Sequence, residues 1–312
     1  NAAGYFRSND EYPKLQLPNS NEREMVYLNA DFLEDPALNS YLVQEFVHLI
    51  TFNQKNRLRN TQEEVWLNEL RANYSPMLLD YEENYENSTL QEQVSQFIKR
   101  PSDSLTEWQG QEQDYGALRF FAHYLVKHYS SDLLVDSLQS KKTGIAAINQ
   151  ALKENNYKVT FSDIFTDWTI AAYVNNCEVS GKYCYWNENL KDINVTPSYL
   201  FVPSTQKNEL NLDYSFKPWS GNWYKLVGNA KEVTLSVKAE KAGNFKIPYA
   251  SCGNEEKCEV DFLKLNDQHK ASTTFKDFGG ASSLVLMPSA QPEDLKYNGE
   301  VPSFDFSISA IT

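Results

Sequence analysis

No apolar run in this chain approaches the roughly 18 residues that a membrane-spanning helix needs, so no membrane span is expected. A basic patch is also missing. With 29 Lys and Arg against 42 Asp and Glu, the net charge is −13. That argues against nucleic acid and anionic membrane surfaces as partners, because both are recognised through clustered cations. There is no C-x-x-C pair and no histidine near a cysteine, which removes zinc knuckles. No repeat of solenoid length occurs. No acidic run has calcium-loop spacing, Asn254–Glu256 being too short. The chain does not begin with Met and carries no signal peptide at its start, so a processed or excised form is expected.

What is present suits a folded protein. At 312 residues, 41% hydrophobic and 23% charged, the chain is long enough for two domains, each with its own core. The four cysteines form two close pairs, Cys177 with Cys184 and Cys252 with Cys258. Two local disulfides, and with them an oxidising compartment, are one reading; four buried free thiols are the other. Sequons stand at Asn87 and Asn194 and matter in a glycosylating host.

The pattern changes once along the chain. Glu24–Phe32 alternates weakly and reads as a strand. Asp35-Pro36 then reads as a helix start, with Asp as N-cap and Pro at the first helical position. That helix runs to about Asn53. Its apolar face is Leu38, Leu42, Phe46, Leu49 and Ile50, while Tyr41, Gln44, His48 and Thr51 lie on another. Thr61-x-x-Glu64 reads as a capping box opening a helix that carries Trp66, Glu69 and Asn73 on one stripe. Further helices are expected over Leu90–Arg100, Asp114–Tyr129, Ser131–Gln139, Gly144–Asn155 and Phe161–Val174. From about Pro197 the chain becomes short alternating runs, about eight strands, which argue for an antiparallel sandwich. Its cluster Trp219, Trp223 and Tyr224 reads either as a stacking platform for sugar rings or as core.

The chemistry is concentrated in Leu42–Phe52, LVQEFVHLITF, and in the W-L-N-E-L run at Trp66–Leu70. Glutamate and histidine three apart on one helix face, with a second glutamate on the next helix, suit a metal and a general base. Apolar residues flank this polar strip, so the helix should be largely buried. Buried charges need partners or a metal.

The pattern resembles the hyicolysin-like and immune-inhibitor-A-like bacterial zinc metallopeptidases of the gluzincin group. QEFVHLITFNQ stands where the family writes H-E-F-Q-H-L-I-x-F-N, and EVWLNELRANY is similar to its glutamate-ligand helix. GYFRSNDEYP, DYGALRFFAHYLVKHY, GIAAINQAL and FTDWTIAAYV extend the likeness over roughly residues 4–175. The resemblance implies Glu45 as general base and His48 and Glu69 as zinc ligands. Tyr115 is either an oxyanion stabiliser or a core tyrosine. The departure is Gln44, at the place of the first HExxH histidine. An amide oxygen is a poor zinc ligand, so zinc should be weak or absent. His123, His128 and His269 offer no obvious substitute. A second departure is the single strand ahead of the active-site helix, where the family places an upper β subdomain.

The expectation is therefore an α+β multidomain protein. Residues 1–190 form a mostly helical gluzincin-like metallopeptidase domain lacking part of its upper β subdomain, and residues 197–312 an antiparallel β-sandwich. The implied protein is bacterial and secreted, extracellular or at the cell surface, acting on a protein or peptide. Because of Gln44 it is either an impaired peptidase or a pseudopeptidase acting as a cell-surface binding or adhesion protein, on peptide or surface glycan; a structural or adhesive surface protein whose sandwich is the working part is the third reading.

Overall fold

The computed structural model describes residues 2–81, 85–86, 88–202, 209–253, 258–279, 283–293 and 301–312. Asn87 and Asn254–Glu256 lie outside them. The fold is α+β, in two compact units: residues 1–95 with 108–161, and residues 96–107 with 162–312.

The first unit opens with β1 (Gly4–Phe6) and β2 (Val26–Leu28), an antiparallel pair with Tyr5 opposite Tyr27. Two strands, not one, thus precede the first helix. Three residues of β1 are too few for alternation to show. Helix α1 spans Leu38–Phe52. Its N-cap is Ala37 rather than Asp35, whose carboxylate instead accepts the Ala37 N–H at 2.8 Å. After Phe52 the ladder widens into a π turn, Asn53–Arg57, that carries Lys55 inward. The expected burial of α1 is not found. Only Ser40 and Thr51 are buried on it, while Leu42 and Phe46 are exposed. The small two-stranded sheet packs on α1 and leaves Leu42 and Phe46 on the open side.

Helix α2 (Val65–Leu78) packs on α1. The Thr61–Glu64 capping box does not form: Glu64 is itself the N-cap, and its carboxylate takes the Trp66 indole N–H at 2.7 Å. Next come α3 (Thr89–Lys99), α4 (Glu112–Tyr129), α5 (Asp132–Gln139) and α6 (Gly144–Glu154). A capping box does form at the start of α4, where Asp114 accepts the backbone N–H of Gln111. This pins the first turn that carries Tyr115.

In the second unit α7 (Phe161–Val174) accompanies nine strands among the described residues. They are β3 (Ser198–Phe201), β4 (Glu209–Phe216), β5 (Tyr224–Val227), β6 (Ala230–Ala239), β7 (Pro248–Cys252), β8 (Cys258–Phe262), β9 (Lys270–Phe278), β10 (Ser283–Leu286) and β11 (Phe304–Ile311). They form sheets ordered β3-β5-β10-β7-β8 and β4-β11-β6-β9. The sandwich is not purely antiparallel, because β3 runs parallel to β5. Inward residues alternate along each strand, and Phe216, Phe245 and Phe306 stack at the centre, 5.1–6.1 Å apart.

The compact units divide elsewhere than at 190–197, where composition changes. Helix α7 and the segment before α4 bond into the β layer: Trp223 Nε1 donates to Thr169 O, Gln291 Nε2 to Thr166 Oγ1, and Ser104 Oγ to Pro218 O. Trp219, Trp223 and Tyr224 are all under 8% exposed, so they are core and no sugar platform. Both expected disulfides are formed, Cys177–Cys184 and Cys252–Cys258. Asn194 is exposed, with its Nδ2 donating to Tyr173 O at 2.8 Å. Among the described residues no helix is long and apolar enough to cross a membrane.

Gly4 sets the fit of β1 on α1. A Cβ there would stand 2.8 Å from Tyr27 O and 3.0 Å from Glu45 Cγ. Gly4→Ala should therefore push β1 away from its partner β2 and from α1, and cost about 1–3 kcal/mol, read as a lower urea midpoint. An unchanged midpoint would show that this contact is slack.

Candidate functional site

Gln44, Glu45, His48, Glu69 and Tyr115 line one cleft of about 510 Å³ in the first unit. Three elements bring them together. The 3.6-residue period of α1 puts Gln44 and His48 on one face. Glu69 comes from α2 and Tyr115 from the first turn of α4. Helix α1 faces β1 across the cleft mouth, where the Phe6 backbone lies close enough to lower the Glu45 carboxyl. A wider depression of about 840 Å³ shares Gly4, Gln44, Glu45, Asn73 and Tyr115 with this cleft.

His48 Nε2 stands 3.8 Å from Glu69 Oε1, and both side chains are mostly buried. Asn73, one turn past Glu69, donates to the Glu69 carbonyl at 2.8 Å and to its carboxylate at 3.3 Å. Among the described residues no Lys or Arg bridges Glu45 or Glu69. Burial accordingly raises the Glu69 carboxyl to about 7, the Asn73 bond opposing it. Burial also raises Glu45, against the pull of His48 and the Phe6 N–H, with Glu69 adding to the rise. The Tyr115 hydroxyl is raised by burial first, then by the carboxylates of Glu69, Asp114 and Glu45. Tyr115 is thus within the field of both site carboxylates.

The Glu69 shift has a measurable consequence. Between about pH 4.5 and 7 the unfolded chain releases the Glu69 proton while the folded protein keeps it. The unfolded state then binds fewer protons, so stability falls as pH rises through this window, by on the order of 2–3 kcal/mol. The contribution is fully present below the window. In metal-free protein Glu69→Gln should flatten this part of a pH series of urea denaturations. An unchanged slope would place the titration elsewhere.

Two orphaned atoms bear on whether zinc fits. His48 Nδ1 and Asn68 Oδ1 are both buried with no hydrogen-bond partner, on packed helices. With no bond at Nδ1 the His48 tautomer is not held by the protein, so binding through Nε2 would itself have to fix it. Two ligands of one tetrahedral zinc, each at about 2.0–2.2 Å, stand about 3.3–3.6 Å apart, a few tenths of an ångström less than the separation of His48 from Glu69. These two positions fit. The third is Gln44, and among the described residues no three or more His, Cys, Asp or Glu side chains converge as a metal group.

Asn73 was visible in the sequence through its i+4 spacing from Glu69. Gly4 and Phe6 were not, since nothing local places a three-residue strand over a helix forty residues later. A groove of about 410 Å³ on the outer face of the four-stranded sheet, lined by Ser236, Lys238, Lys270 and Ser307, holds none of the expected site residues.

No protein-family model matches the chain, and no curated protein matches it in sequence. Several solved structures are similar to part of it. The pre-peptidase C-terminal domain of a collagenase from Bacillus anthracis is 13% identical, with a TM-score of 0.25, over 37% of this chain and 94% of that one. PliG from Aeromonas hydrophila, a periplasmic inhibitor of g-type lysozyme, is 11% identical, TM-score 0.23, over 36% and 95%. CorA, a surface-associated copper-binding protein of Methylomicrobium album BG8, is 10% identical, TM-score 0.22, over 37% and 98%. At these scores the likenesses fix neither family nor activity.

Proposed function

We propose that the first unit is a gluzincin-like zinc metallopeptidase whose metal site is impaired by Gln44. The observation that carries this reading is the convergence of Gln44, Glu45, His48, Glu69 and Tyr115 in one cleft beneath a sheet edge. His48 and Glu69 would hold zinc, with the Gln44 amide oxygen as a weak third donor. When bound, zinc supplies a Lewis acid for peptide hydrolysis.

The protein groups have separable roles. Glu45, its carboxyl raised by burial, takes a proton from the attacking water and passes it to the leaving amine nitrogen. The Tyr115 hydroxyl donates to the oxygen of the reacting carbonyl, staying protonated because burial and the nearby carboxylates raise it. β1 is an edge strand among the described residues, so an extended peptide added along it would lie over Glu45. The two disulfides suit a secreted protein, extracellular or at the cell surface.

A second reading is favoured by Gln44 itself: a pseudopeptidase that binds peptide without cleaving it. Elemental analysis of the purified protein for zinc, with casein hydrolysis measured alongside, separates the two. Stoichiometric zinc with turnover removes the pseudopeptidase reading. Zinc-free, silent protein supports it.

A further inference from the structure

The wider depression that continues from the candidate site has its own chemistry. Besides the shared residues it is lined by Asp35, Asp80, Tyr41, Tyr81, Gln93 and Arg119. Asp35 and Asp80 lie outside the metal site, and with Glu45 they give three carboxylates on this wall. Arg119 is the opposing cation among the described residues; it lines the same depression and is 2% exposed. Tyr41, Tyr81 and Tyr115 add three aromatic rings, Tyr81 being 47% exposed. The Gln93 side chain buries its Oε1 with no hydrogen-bond partner. A buried acceptor left unmet is satisfied by a ligand that brings a donor.

We propose that this depression is a substrate subsite for a basic side chain, Lys or Arg, of a peptide laid across the cleft. The inference rests on reading the cleft as a peptidase site. A cation with several N–H donors meets each feature at once: the Asp35 and Asp80 charges, the open acceptor of Gln93, and the faces of the tyrosines. An acidic side chain meets Asp35, Asp80 and Glu45 as like charges against Arg119 alone, and offers nothing to the Gln93 oxygen. An aliphatic one leaves that acceptor unmet. A partly enclosed acidic cleft also concentrates cationic groups from solution, an effect that weakens with salt.

The test is fluorescence anisotropy of the full chain with four dye-labelled hexapeptides, identical except for Arg, Lys, Leu or Glu at one central position. The Arg and Lys peptides should bind at least about tenfold more tightly than the Glu peptide, with Leu between them. The comparison variant is Asp35→Asn with Asp80→Asn. Asn keeps an oxygen for the turn at Asp35, which accepts the Ala37 N–H, and tolerates the positive φ of Asp80. That variant should reduce the preference to below about threefold with zinc content unchanged. Equal affinities, a preference for Glu, an unaltered preference in the variant, or no peptide binding would each overturn the subsite. Zinc content and caseinolysis, measured separately, still judge the peptidase reading in every one of these cases.

Discussion

Gln44→His should convert the protein into one that retains stoichiometric zinc through dialysis and cleaves casein. The variant completes two histidines four apart on α1, with Glu69 already facing them from α2. Loss of a partner one shell further out typically costs about 10–100-fold in metal affinity or activity, so restoring a direct ligand should gain at least that. The new imidazole replaces a neutral amide of similar length in a cleft of about 510 Å³, so it requires no rearrangement of the helices. Two controls make the result specific. Glu45→Gln in the same background should keep the zinc and abolish hydrolysis, because Glu45 moves the proton and does not hold the ion. His48→Ala should lose the zinc. If the Gln44→His protein binds no more zinc than wild type, His48 and Glu69 are not poised as ligands. If it binds zinc tightly yet cleaves nothing, the defect lies in the substrate-binding rim rather than the metal site.

Glu63→Gln should destabilise the protein by about 3–5 kcal/mol, the cost of leaving buried charge without its counter-ion. Glu63 Oε2 lies 2.8 Å from Arg71 Nη1 and 3.3 Å from Lys55 Nζ, and its Oε1 accepts the Gly144 N–H at 2.8 Å. All three charged residues are under 9% exposed. The Lys55 ammonium also donates to the carbonyls of Ser137, Ser140 and Lys142, and Arg71 to Leu134 O and Ser137 Oγ. The network therefore ties the π turn that follows α1 to α2, to the end of α5 and to the start of α6. Lys55→Met should cost a similar amount, since three carbonyls lose their donor. The double variant should fall short of the sum, because each change removes the same interaction. Urea denaturation monitored by far-UV circular dichroism measures all three. Losses below about 0.5 kcal/mol would show that water reaches the network and replaces the pairs. The same ties hold α1 against α2, so the Gln44→His zinc site should also weaken when Glu63 is changed.

The helices were legible because their periodicity and stop signals are local. Pro101 follows α3, Gly144 opens α6, and the predicted Phe161–Val174 is α7 as observed. Strands were legible where an alternating or apolar run stands between turn residues, the four-residue β5 and β10 included. β3 was missed because its parallel pairing with β5 is set by a partner more than twenty residues away. The Thr61–Glu64 capping box failed because the Trp66 indole competes for the Glu64 carboxylate, and local spacing cannot show that.

The sequence by itself determined the periodicities and the residue types: a helix presenting Gln44, Glu45 and His48, a following helix presenting Glu69 and Asn73, two local cysteine pairs, and a change from helices to strands. These depend on neighbours within a few positions, where backbone geometry is fixed. Only the tertiary structure decided that β1 closes over Glu45, that Tyr115 reaches the same cleft, and that Lys55, Glu63 and Arg71 meet. It also decided that the apolar stripe of α1 stays open and that the sandwich tryptophans are core. Each of these depends on contacts between elements far apart in the chain. Burial and charge pairing exist only once those elements have packed, so the same residues read alone leave them open.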